Sequence, residues 1–171
     1  MPILFRVLSG LPPYGPPAKP FGSDQGRYRE GFVVEFQDEN ATWIGNFIGG
    51  GTDFDRVLEH PDGCSAIVIA SGLGFTIDPH AREATSMFGG LITGVVYSGR
   101  ERIVFSTFTE FEAHGPAGRE WRTRQLSGDG FRSLRIEGAT LRGEAWSPSP
   151  DTWREFSVEL ATGEATGGAY P

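Results

Sequence analysis

Residues 131–163 read FRSLRIEGATLRGEAWSPSPDTWREFSVELATG, and the period of this stretch decides the fold class. Leu134 and Ile136 alternate with Ser133, Arg135 and Glu137. Leu141, Gly143 and Ala145 alternate with Arg142 and Glu144. Phe156, Val158 and Leu160 alternate with Glu155, Ser157 and Glu159. A period of two is the signature of a strand with one buried and one solvated face. Gly138-Ala139, a loop over residues 147–151 and the turn Thr162-Gly163 separate the runs, so they read as sequential antiparallel hairpins.

The same rhythm extends towards the N-terminus. Phe32, Val34 and Phe36 alternate with Val33, Glu35 and Gln37, Asp38-Glu39-Asn40 reads as a turn, and Trp43, Gly45 and Phe47 follow on a second strand. His60-Pro61-Asp62-Gly63 is a turn before Ser65–Ala70, a run apolar on both faces as in a central strand. Strands are expected at 91–97, 102–108 and 121–126. Residues 79–88 form the one helix candidate, because Pro79 suits a helix start and Gly89-Gly90 a stop. The expectation is an all-β single domain of about 10–12 short antiparallel strands in a meander, as a partial propeller, a sandwich or an open barrel, with at most one short helix. The turn at 60–63 and the strand ending Val158–Gly163 resemble turns of propeller blades.

Five prolines punctuate residues 9–26, which suits neither helix nor regular ladder. Residues 1–26 are therefore expected to be a Pro/Gly-rich arm packed on the domain 27–171, covering an open sheet edge.

Composition narrows the function. The 171 residues carry 15 basic and 22 acidic side chains, a net charge of −7. Nucleic-acid binders need a basic face and anionic membranes attract basic proteins, so both partners are disfavoured. Residues 119–154 are the exception, with seven Arg against five acidic residues. The interleaving of the two signs there suggests cross-strand ion pairs on a solvated sheet face. Cys64 is the only cysteine, so no intramolecular disulfide can form, which suits the cytoplasm. It is expected to be a buried structural thiol at the entrance to an apolar strand. No Gly-rich phosphate loop, nucleophile elbow or cofactor motif is present, and no cofactor is expected.

Three sets of residues could carry chemistry. His60, His80 and His114 each have an acidic neighbour, and three such ligands converging in space would hold a metal. Asp53 and Asp55 form an Asp-x-Asp pair in a loop, a minimal oxygen-ligand set. Glu110 and Glu112 would lie about 7 Å apart on one strand face, a separation compatible with a pair of glycosidase carboxylates. Trp146 and Trp153 border the Pro-rich loop, where aromatics can form a platform for a protein or sugar.

None of these sets spells a catalytic signature. The expected function is a non-catalytic protein-binding module, with an immunity-type inhibitor as one concrete form. Trp153, Trp146, Asp53 and Asp55 are its candidate contacts. A small hydrolase or metal- or ligand-binding protein is the alternative, and a self-associating subunit such as a homodimer the second.

Overall fold

The computed structural model describes residues 4–22, 29–37 and 41–170. Among these residues there is no helix, and sixteen short strands form four open four-stranded sheets, none closed into a barrel. The fold is all-β, and three of the sheets are plain up-and-down meanders. The strands outnumber the sequence rhythm because several hold only three or four residues, too few to display a period. The chain forms two compact units, divided after Ile92.

The first unit contains two sheets. Strands β1 (Leu4–Val7), β2 (Lys19–Phe21), β3 (Phe32–Gln37) and β4 (Thr42–Phe47) lie in the order β1-β3-β4-β2. β2 comes from the Pro-rich segment and runs parallel to β4. Pro20 is tolerated there because an edge strand needs ladder bonds on one side only. The expected turn at 38–40 lies outside the described residues, as do residues 1–3 and 23–26 of the expected arm. Strands β5 (Arg56–Glu59), β6 (Ala66–Ala70), β7 (Leu73–Asp78) and β8 (Glu83–Gly89) form the second sheet in chain order.

Alternation places Val34 and Phe36 of β3 and Trp43 and Phe47 of β4 on one face. There they meet Val68 of β6 and Phe75 and Ile77 of β7 in one apolar core. Phe47 is central to it: its ring stacks on Phe21 at 4.7 Å and meets Phe75 edge-on at 5.4 Å. The run Gly49–Gly51 is structural. A Cβ on Gly50, at φ +73°, would stand 1.8 Å from the carbonyl oxygen of Ser71.

The helix candidate at 79–88 is a turn followed by strand β8. Asp78 Oδ1 accepts the amide hydrogens of His80 and Ala81 at 2.9 and 3.0 Å, and Arg82 takes φ 57°. A left-handed residue stops helix growth, and the open edge of β7 then captures residues 83–89.

In the second unit β9 (Gly94–Ser98), β10 (Ile103–Ser106), β11 (Phe111–Gly115) and β12 (Gly118–Arg122) form one meander. β13 (Phe131–Glu137), β14 (Thr140–Pro148), β15 (Asp151–Glu159) and β16 (Ala165–Gly167) form the other. Their shared core joins Val104, Phe111 and Ala113 to Leu141, Ala145, Phe156 and Val158. The strand expected at 121–126 ends at Arg122. The chain beyond it is tied down by buried Ser127, whose Oγ donates to the Gly130 carbonyl at 2.5 Å and accepts the Trp146 amide at 3.1 Å. The expected loop 147–151 contracts to the two residues Ser149 and Pro150, because β14 and β15 pair as far as Pro148 and Asp151. No helix among the described residues is long and apolar enough to cross a membrane.

Truncating the most connected ring of the first core tests this packing. Phe47→Ala is expected to lower unfolding stability by about 3–5 kcal/mol, the usual cost of emptying a buried Phe site. A urea titration followed by intrinsic fluorescence measures it.

Candidate functional site

The histidines serve local structure. His60 is buried beside the turn 60–63, and its Nδ1 accepts the amide hydrogen of Asp62 at 3.1 Å. Asp62 closes that turn by accepting the amides of Cys64 and Ser65 at 2.9 and 2.8 Å. Burial disfavours the Asp62 charge, but these hydrogen bonds and the neighbouring His60 outweigh it and lower the carboxyl to about 2. His80 is exposed just after β7. His114 is buried on β11 with Nε2 2.6 Å from Glu112 Oε1. No three His, Cys, Asp or Glu side chains among the described residues are grouped to hold a metal. Cys64 is exposed rather than buried, because it belongs to the turn and β6 begins only at Ala66.

Asp55 braces a loop: its Oδ1 accepts the amide of Ser71, a residue at φ 48°, at 2.7 Å. Asp53 is exposed. Arg29, Glu30, Thr52 and Ser71 line a recess of about 400 Å³ nearby. Glu30 already accepts the Leu11 amide at 3.0 Å.

Glu110 and Glu112 are bound into ion pairs. Arg122 Nε donates to Glu110 at 2.7 Å. Glu112 holds His114 with one oxygen and stands 3.7 Å from Arg119 with the other. Burial pushes the Glu112 carboxyl up, but the His114 hydrogen bond, the His114 charge, Arg119 and Arg122 together leave it below the usual range. A glycosidase acid needs the opposite shift, so Glu112 lacks the electrostatics of that role.

The last sheet gathers aromatic and charged groups on its outer face. Trp146 on β14 and Trp153 on β15 are directly cross-strand, half-buried, with ring centroids 5.3 Å apart at 61°. The neighbouring pair is Glu144 opposite Glu155. Arg132 on β13 reaches across β14, so that its guanidinium carbon lies 4.4 Å over the Trp153 ring. The same guanidinium forks onto Glu144 at 2.9 and 3.1 Å. Glu137 is shared by Arg135 at 2.7 Å and Arg142 at 2.9 Å. The hydrogen bonds from Arg132 and from Arg135 hold the Glu144 and Glu137 carboxyls below their ordinary values. The interleaved charges of residues 119–154 are thus largely ion pairs on a solvated face. Glu155 is exposed and makes no ion pair among the described residues.

Arg132, Glu144 and Glu155 are the members of this face that the sequence reading missed. A signal for two of them was present. If the hairpin turn holds only Ser149 and Pro150, counting outward pairs 146 with 153 and 144 with 155.

No family model matches the chain, and no curated protein matches it in sequence. Two solved structures share a distant likeness. One is a crystal structure of a eukaryotic initiation factor, at 11% identity and a TM-score of 0.43, over 82% of this chain and 40% of that one. The other is a crystal structure of Myxococcus xanthus glutaminyl cyclase, at 16% identity and a TM-score of 0.34, over 77% of this chain and 59% of that one. The chain therefore spans less than two thirds of the length of either.

Removing the Asp62 carboxylate tests the turn. Asp62→Ala is expected to lower stability by about 1–2 kcal/mol at neutral pH through the lost amide hydrogen bonds. Because the folded pKa is lowered, the carboxylate's contribution is complete above about pH 5 and fades as pH falls from about 4 towards 2. Urea titrations of both proteins across that range should therefore converge at the acid end.

Proposed function

We propose that this chain is a non-catalytic module that binds a protein partner through the outer face of the β13–β16 sheet. The observation that carries the reading is the pair Trp146 and Trp153, half-exposed and braced by Arg132. Trp and Arg are enriched among the few residues that carry most of the binding energy of protein interfaces. Here the two tryptophans stand on strands paired over nine residues, so the surface is fixed before any partner arrives. The charged pairs around them suit a polar rim. The engagement of Glu110 and Glu112 by Arg122, His114 and Arg119 adds weight against hydrolysis.

A photocrosslinking residue replacing Arg142, on the same face, tests the reading against one replacing Glu101, in the turn between β9 and β10. In extract of the source cells, position 142 is expected to give a discrete protein adduct that position 101 does not. Equal labelling from both positions would contradict the proposal.

A further inference from the structure

We infer that the outer face of β13–β15 recognises a basic partner segment, with an arginine guanidinium seated against the Trp146–Trp153 pair and paired to Glu155. The inference rests on the binding face proposed above and names the chemistry of its partner.

The chain already contains one copy of the interaction. The Arg132 guanidinium stacks on Trp153 and forks onto Glu144, so ring, cation and carboxylate are arranged there in a self-satisfied set. A guanidinium suits both halves of such a set, since it is planar, stacks on indole and donates in a fork. Beside Glu144 the face carries a second carboxylate, Glu155, that makes no ion pair among the described residues. Glu155 lies in register with Glu144 and two residues from Trp153, so all three share the outer face. Carboxylates directly opposite on a sheet repel, and Arg132 neutralises only one of the two. An incoming guanidinium would pair the other while covering indole surface.

The remaining charges favour the same partner. Arg135 and Arg142 both pair with Glu137, which leaves that cluster with one positive charge in excess. Glu159, farther along β15 on the same face, is held among the described residues by the Thr140 hydroxyl at 3.5 Å. Glu137, Glu144, Glu155 and Glu159 together outnumber Arg132, Arg135 and Arg142 by one, so the face is acidic on balance, and the net charge of −7 draws basic partners over a longer range.

The probe is a fluorescently labelled hexa-arginine peptide, titrated into the full chain and followed by anisotropy at low and physiological salt. Saturable binding is expected. Trp153→Ala should weaken it about tenfold and Trp153→Phe less, since Phe keeps a smaller π face. Glu155→Gln should weaken it about three- to tenfold, whereas Glu101→Gln, the same charge change elsewhere, should stay within about twofold. Hexa-lysine should bind more weakly than hexa-arginine. Circular dichroism confirms that each variant is folded.

Absent binding, or equal weakening by Glu155→Gln and Glu101→Gln, overturns the inference, because only bulk charge would then be at work. The crosslinker at position 142 separates the two claims. If it still captures a discrete protein, the face is an interface for a partner of other chemistry. If it captures none, the binding-face reading falls as well.

Discussion

The pairing of β14 with β15 fixes the positions of both tryptophans and both facing carboxylates on the outer face of the last sheet. Nine residues of each strand are in register, from Thr140 opposite Glu159 to Pro148 opposite Asp151, around a turn of two residues. Since side chains alternate, a slip of one residue would turn Trp153 to the opposite side of the sheet and bring Phe156 and Val158 out of the core. Burial of those two residues with Leu141 and Ala145 sets the register from the inside. The indole pair and the Glu144–Glu155 pair on the outside are its consequence. Arg132 is placed by the adjacent β13, opposite Glu144.

Charge is handled in two ways. The turn at 60–63 is organised by one carboxylate on backbone amides, with a buried imidazole accepting a further amide. On the strands charge is neutralised laterally: Glu35 by Arg6, Glu110 by Arg122, Glu112 by His114 and Arg119, Glu144 by Arg132, Glu137 by two arginines. The His114 hydrogen bond and the neighbouring cations stabilise the charged form of Glu112, which makes it poor material for proton donation. An exposed carboxylate beside two indoles, as at Glu155, is better suited to recognition. The binding face proposed here accordingly lies on the β13–β16 sheet rather than on the Glu110–Glu112 row.

Much of the architecture was legible because period two survives in the long strands. Phe32–Gln37, Thr42–Phe47 and the runs at 141–145 and 155–160 announce both strand and buried face, whereas 131–137 announces a strand whose Leu134 and Ile136 stay exposed beside a register shift. Residues 79–88 misled because Pro79 and Gly89-Gly90 suit the ends of a helix, while the deciding contacts lie elsewhere: the Asp78 carboxylate at the turn and the open edge of β7. The three-residue strand through Pro20 was hidden for a related reason, as its ladder is supplied wholly by β4. At the candidate face, the two tryptophans were identified and their supporting residues were not. That gap traces to one turn: a loop of five residues leaves the pairing of β14 and β15 open, whereas a turn of two fixes it. The exposure of Cys64 was missed by a similar margin, since the apolar strand starts two residues after it.

Cross-strand nuclear Overhauser effects along β14 and β15 test this account most directly. It predicts contacts between the protons of Trp146 and Trp153 and between those of Glu144 and Glu155. Contacts joining Trp153 to Ser147 instead would show a slipped register, remove the indole pair from the outer face and contradict the account.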